Sequence, residues 1–262
     1  MIRYYGRPPY RAAVIHGGPG APGSAAGLAA MAGEICGTSE PMQSKSAIRE
    51  LEAELKNQLV EAGSLPAVLI GHSWGALLAA LFAGAHPEMV EKLILVGCPP
   101  LTADYVPQIK ERRRQNLSVR DQEELERLTA RLEQGGPRGA EADGRLARLD
   151  DLARLSDCYD PLQSPVEELL PVDGEKYNAV WGKAAALRSS GALLKRFRNL
   201  TRPVTFIQGR QDPHPAAGIS EPLAGSGLEY KLHVLDRCGH SPWLERQARE
   251  HFFAVLKREL DG

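Results

Sequence analysis

A serine with a glycine two residues to either side, Gly71-His72-Ser73-Trp74-Gly75, follows the apolar run Ala67 to Ile70 and precedes the small-residue stretch Ala76 to Ala79. A hydroxyl is a weak nucleophile at neutral pH and becomes an effective one beside a base that is itself oriented by an acid. A G-x-S-x-G pattern between a strand and a helix lifts the hydroxyl clear of the backbone. It also sets the serine at a helix N-terminus, where developing negative charge is favoured. The glycines are then required, because Cβ atoms there would meet the neighbouring strand and helix. The plain alternative is a Gly-rich turn whose serine is only an N-cap. A base and an acid further along the chain separate the two. Asp212 follows the apolar run Pro203 to Gln208, and His240 follows Leu232 to Leu235, giving the chain order Ser, Asp, His.

Each partner has competitors. His240 has the makings of a surface-loop histidine, and Asp212 of the first residue of a turn before Pro213. His16, His72, His86 and His214 also offer imidazoles, and Asp104 and Asp236 offer carboxylates. Asp236 lies only four residues before His240, at the strand end, and is poorly placed to orient it. The joint spacing selects Ser73, Asp212 and His240 as the catalytic set. A further loop, His16-Gly17-Gly18-Pro19-Gly20, follows the short strand Arg11 to Ile15. Read plainly it is a strand-to-helix turn; beside a nucleophile it is where a second backbone donor for an oxyanion belongs.

The elements that must hold these residues alternate. Strands are expected at 11–15, 67–70, 93–96, 203–208 and 232–235, and helices at 25–32, 47–62 and after Ser73. Ile48, Leu51, Leu55 and Leu59 keep helical spacing, and Gly63 suits a C-terminal stop. The closing helix turns Leu244, Ala248, Phe252, Val255 and Leu256 to the sheet. This alternation predicts an α/β class with a mostly parallel sheet flanked by helices. The proposed set then lies beyond the carboxyl ends of the strands, where open α/β sheets carry their sites. Residues 101–201 read differently, with helix-like stretches at 123–132, 145–155 and 184–197. They are expected to form a helical cap over a core made of 1–100 and 202–262. The basic run Lys110 to Arg114 is interleaved with acids and reads as a solvated helix face.

Composition narrows the field. With 262 residues, 43% hydrophobic, 25% charged and a net charge of −1, the chain gives no reason to expect nucleic acid or a membrane as partner. No apolar run approaches the roughly 20 residues needed to span a bilayer. The N-terminus lacks the apolar stretch of a secretory signal, and Cys36, Cys98, Cys158 and Cys238 are scattered as reduced thiols would be. A cytoplasmic location is expected, with a small molecule or short peptide as substrate. No cofactor or metal is called for; the His and Cys residues show no metal-ligand spacing.

The chain resembles the α/β-hydrolases, and among them the proline iminopeptidase-like branch. The resemblance rests on His16-Gly-Gly-Pro-Gly20, Gly71-His-Ser-Trp-Gly75, Leu93-Ile-Leu-Val-Gly97, Gly209-Arg-Gln-Asp212 and Cys238-Gly-His240. It implies a serine nucleophile, an Asp–His pair, a helical lid, and an oxyanion hole from the backbone N–H groups of Gly18 and Trp74. Two departures stand out. The family carries a strand and an Asp-x-Arg-Gly loop before the elbow, where this chain has only Glu34 to Met42, and its N-terminal strands look nearly absent. Hydrolysis of an ester or amide through an acyl-enzyme is the expected reaction. A prolyl aminopeptidase would in addition need acids for the substrate ammonium, for which Glu167, Glu168 and Asp160 are available. Trp181 and Trp243 are candidates to line an apolar pocket, although packing roles suit both. The reading from another class is a non-catalytic hydrolase-fold protein that binds a small ligand.

Overall fold

The structure, a computed structural model, describes residues 1–19, 21–133, 148, 151–152, 154–162 and 174–261. The strands are β1 (Ile2–Tyr5), β2 (Ala12–Ile15), β3 (Thr38–Pro41), β4 (Ala67–His72), β5 (Val90–Val96), β6 (Val204–Gly209) and β7 (Tyr230–Leu235). They form one seven-stranded sheet in the order β1-β3-β2-β4-β5-β6-β7. Only β1 runs antiparallel to its neighbour. The helices are α1 (Ala26–Gly33), α2 (Ile48–Ala62), α3 (Trp74–Ala85), α4 (Val106–Gln115) and α5 (Val119–Glu133). They continue with α6 (Gly174–Ser189), α7 (Ala192–Arg198), α8 (Ala217–Leu223) and α9 (Arg249–Asp261).

The strand period of two divides the core into two layers. Ala13, Leu69, Leu93 and Val204 are register partners in one row and pack with α2, α3, α7 and α8. Val14, Ile70, Ile94 and Ile207 face the other way, onto α1 and α9. Covering both faces explains why β2, β4 and β5 read as apolar runs rather than alternating ones. It also puts the carboxyl ends of β2, β4, β5, β6 and β7 along one edge of the sheet.

Two expectations need correction. The N-terminal part of the sheet is present: β1 and β3 are four residues each, and β3 pairs with both β1 and β2. Thr38-Ser39-Glu40-Pro41 has no apolar run, so nothing in it signals a strand. It is nonetheless buried, with Glu40 accepting the Tyr5 hydroxyl at 2.8 Å. The single helix expected over 184–197 is two, α6 and α7, broken at Gly191 where φ is 74°.

Of residues 101–201, the described part holds α4 to α7, further helical residues at 154–157, and a single bridge from Pro161 to Glu245. Its last helices are tied into the core, since Val180, Ala184, Leu193 and Phe197 are buried with α3. Among the described residues, no helix is long and apolar enough to cross a membrane.

Candidate active site

Ser73 stands alone between β4 and α3, at φ 53° and ψ −119°. This conformation is rare for an L residue and costs on the order of 1–3 kcal/mol, so the surroundings must hold it. Its N–H donates to the Val96 carbonyl of β5 at 2.9 Å. A Cβ on Gly75 would lie 2.1 Å from the Ile15 carbonyl oxygen, so glycine is what lets α3 begin against the end of β2.

Asp212 lies three residues beyond β6 and His240 five beyond β7. Both oxygens of the fully buried Asp212 carboxylate accept from His240 Nδ1–H, at 3.0 and 3.1 Å. The carboxylate also accepts the His214 backbone N–H and a Gln208 amide N–H, each at 2.8 Å. Burial alone would raise the pKa of Asp212; the His240 charge and the His214 and His240 hydrogen bonds outweigh it and hold the acid well below its ordinary range. Burial likewise opposes charge on His240, but Asp212 reverses the sign and raises the imidazole above its ordinary value. His240 also closes on the carboxyl end of β5. A Cβ on Gly97 would lie 2.9 Å from its Nδ1, and Gly97 adjoins the Val96 carbonyl that holds Ser73.

Two other histidines border the pair. His72 has its ring 4.7 Å from that of His240, and its Nε2–H donates to the His240 carbonyl at 3.2 Å. His214 places Nδ1 3.2 Å from His240 Nδ1. Burial, then the charge of His240, lowers the pKa of both. Charge is therefore disfavoured on both relative to His240. Asp212, His214 and His240 also form the one group among the described residues whose donor atoms are close enough to hold a metal ion, all within 4.8 Å. The hydrogen bonds to Asp212 account for this convergence.

The His16–Pro19 loop lies against the serine: a Cβ on Gly17 would sit 3.2 Å from Ser73 Cβ, and Gly18 has φ 47°. Gly20 falls outside the described residues. Gln43, just past β3, joins this loop to the elbow. Its backbone N–H donates to His16 Nε2 at 3.1 Å, its Nε2–H donates to the His16 carbonyl at 3.1 Å, and its Oε1 accepts the Trp74 indole N–H at 2.8 Å.

The rest of the surround comes from residues with no signal in the sequence. The basic run on α4 is not merely solvated. Arg112 donates to the Asp212 carbonyl at 2.9 Å, and Arg113 makes a bidentate pair with Asp157 at 2.7 and 3.0 Å. The Asp157 carbonyl in turn accepts the His240 N–H at 2.7 Å. Glu245 is fully buried and accepts three backbone N–H groups, those of Gly239, Tyr159 and Asp160, at 2.7–2.8 Å. It binds the His240 loop to the segment around residue 160.

Among the weaker candidates, Trp181 stands edge-on to Trp74 at 6.1 Å, and Trp243 is buried edge-on to His72 at 4.7 Å. Asp160 faces Arg246 at 3.5 Å and accepts the Gln247 amide at 3.1 Å. Asp236 is paired with Arg210, away from His240. Glu167 and Glu168 lie outside the described residues.

Residues 16–250 match the sequence profile described as "Alpha/beta hydrolase family". The monoacylglycerol lipase abhd6-B of Xenopus laevis is 26% identical over 198 residues, which is 72% of this chain and 55% of the lipase. The chain thus spans about half the length of that relative. A proline iminopeptidase of Heyndrickxia coagulans is 26% identical over 264 residues, 93% of this chain and 88% of that protein. The crystal structure of VinJ is similar in fold, with a TM-score of 0.67 at 17% identity over 99% of this chain and 94% of that one.

Proposed function

The chain belongs to the alpha/beta hydrolase family, and from that premise we propose that it is a serine hydrolase cleaving an ester or amide bond of a small molecule or short peptide through an acyl-enzyme. The observation that carries this reading is the buried Asp212–His240 pair at 3.0 Å, sharing the carboxyl end of β5 with a serine held at positive φ. In this reading Ser73 Oγ attacks the acyl carbon and its proton passes to His240 Nε2. Asp212 holds the proton on Nδ1 and stabilises the imidazolium. The backbone N–H groups of Gly18 and Trp74 receive the oxyanion. As the tetrahedral intermediate collapses, His240 gives the proton to the leaving group. Water, deprotonated by the same imidazole, then frees Ser73.

Residues 101–201 act as the cap in this reading, with α4 fixed to the loop that carries Asp212. The branch that cleaves N-terminal proline draws support from the iminopeptidase relative. It requires an acid for the substrate ammonium, and Asp160 is already engaged with Arg246 and Gln247. Glu167 and Glu168, the other acids offered for that role, lie outside the described residues, and the broader hydrolase reading is the one kept.

The test compares hydrolysis of a short-chain p-nitrophenyl ester and a prolyl anilide by the wild type and Ser73→Ala. Ester cleavage that falls by about 10⁶-fold in Ser73→Ala is expected, on the scale of a serine protease stripped of its nucleophile. Turnover unchanged in Ser73→Ala would overturn the reading.

A further inference from the structure

We propose that Gln43 is the positioning residue that fixes the two oxyanion donors, Gly18 N–H and Trp74 N–H, relative to one another; the proposal rests on Ser73 being the nucleophile. Gln43 touches neither donor itself. It acts through His16 on one side and the Trp74 side chain on the other, and all three of its polar groups used here are directed at those two residues.

The His16 arm has a defined chemistry. Because the Gln43 N–H points at His16 Nε2, that nitrogen is an acceptor and the ring proton sits on Nδ1. Nδ1–H then donates to the Gly17 carbonyl at 2.9 Å. That carbonyl belongs to the same peptide unit as the Gly18 N–H, and the unit is trans. In a planar trans peptide the C=O and N–H point in opposite directions, so anchoring Gly17 oxygen sets the direction of Gly18 N–H. The imidazole stays uncharged across neutral pH, since full burial lowers its pKa to about 4, and the two hydrogen bonds then select the tautomer.

The Trp74 arm reaches the other donor. Trp74 is the first residue of α3 and is fully buried, with its indole N–H on Gln43 Oε1 at 2.8 Å. The Gln43 amide therefore spans from the His16 carbonyl to the indole. It ties two chain segments, residues 16–18 and 73–74, that no sheet hydrogen bond joins beyond the end of β2. Preorganised donors of this kind owe their value to being in place before charge develops.

The experiment uses Gln43→Met, which keeps the bulk and the backbone N–H and removes both side-chain bonds. Four quantities are read: kcat and KM on a p-nitrophenyl ester, the second-order rate at which an alkyl fluorophosphonate labels Ser73, and Tm. In the labelling step an O–P bond forms, the P–F bond breaks with loss of fluoride, and the hydroxyl proton passes to His240. The expected result is a fall of about 10- to 100-fold in kcat and in labelling rate, part of the 10²–10³ that a lost oxyanion donor costs. KM stays within about threefold, since ground-state binding is untouched. Trp74→Phe, which cuts the same bridge from its other end, should give a loss that does not add to that of Gln43→Met in the double variant. It also carries the test if Gln43→Met fails to fold. A folded variant with kcat within about twofold of wild type overturns the proposal. So does a rise in KM at constant kcat, which would make Gln43 a substrate contact. Ser73→Ala runs in parallel: if it labels and turns over like wild type, the hydrolase reading fails, whereas a silent Ser73→Ala beside an unaffected Gln43→Met removes only the role of Gln43.

Discussion

The indole N–H of Trp74 donates to Gln43 Oε1 at 2.8 Å, joining the start of α3 to the residues that follow β3. Trp74 is fully buried and Gln43 half-buried, so breaking the bond from the indole side leaves the amide oxygen in a site with reduced access to water. Trp74→Phe is expected to lower the free energy of unfolding by about 0.5–1.5 kcal/mol, the net worth of an ordinary hydrogen bond. Urea denaturation of the two proteins measures it, and an unchanged midpoint would show that the amide finds another donor.

The proton balance at His240 fixes the sign of the pH dependence. Protonated on both nitrogens, His240 cannot accept the Ser73 proton. Its pKa is raised above the ordinary 6.5 by Asp212, against the pull of burial. kcat/KM should therefore climb with pH along a limb whose midpoint lies above 6.5. In Asp212→Asn the charge is gone and burial dominates, so the limb moves to lower pH while kcat falls by roughly 10⁴-fold, as in serine proteases. A limb that stays in place would mean that a different group titrates.

Glu245 accepts backbone N–H groups from Tyr159, Asp160 and Gly239 with two carboxylate oxygens. Glu245→Gln replaces one acceptor by an amide that faces a backbone donor. A loss of about 1–3 kcal/mol is expected. Activity should fall as well, because Gly239 immediately precedes His240. Thermal unfolding followed beside ester hydrolysis reads both, and stability equal to wild type would remove the role given to this carboxylate.

Gly75→Ala places a methyl group 2.1 Å from the Ile15 carbonyl. The contact is backbone against backbone, so neither partner can swing away. Destabilisation of at least about 3 kcal/mol, at the high end for overpacking, is the expected outcome. Recovery of soluble, active Gly75→Ala protein would show that α3 can shift at its start.

Much of this arrangement was legible in the sequence because its signals are local. Central strands such as β4 and β5 are covered on both faces and so read as apolar runs, and Gly71 is demanded by contacts with Gly75 and Ala76 a few residues on. The chain order of Ser73, Asp212 and His240 follows from where strands end. What was hidden is relational. β3 is polar and is buried by its neighbours rather than by its own side chains. Gln43 looks like any surface glutamine until the fold sets His16 and Trp74 beside it. Arg112 reads as solvated charge because its partners are backbone groups, which carry no residue-type signature, and Glu245 gives no signal for the same reason.

Arg112 joins α4 to the carbonyls of Arg210 and Asp212, at 3.3 and 2.9 Å. α4 is thus fastened to the loop that carries Asp212, as α6 and α7 are fastened to α3 by their buried side chains. A change at Arg112 is therefore felt at the acid, and changes around Asp157 to Asp160 reach His240 through the bonds that hold its loop. A library built to find new substrates holds Arg112, Asp157, Tyr159 and Asp160 constant.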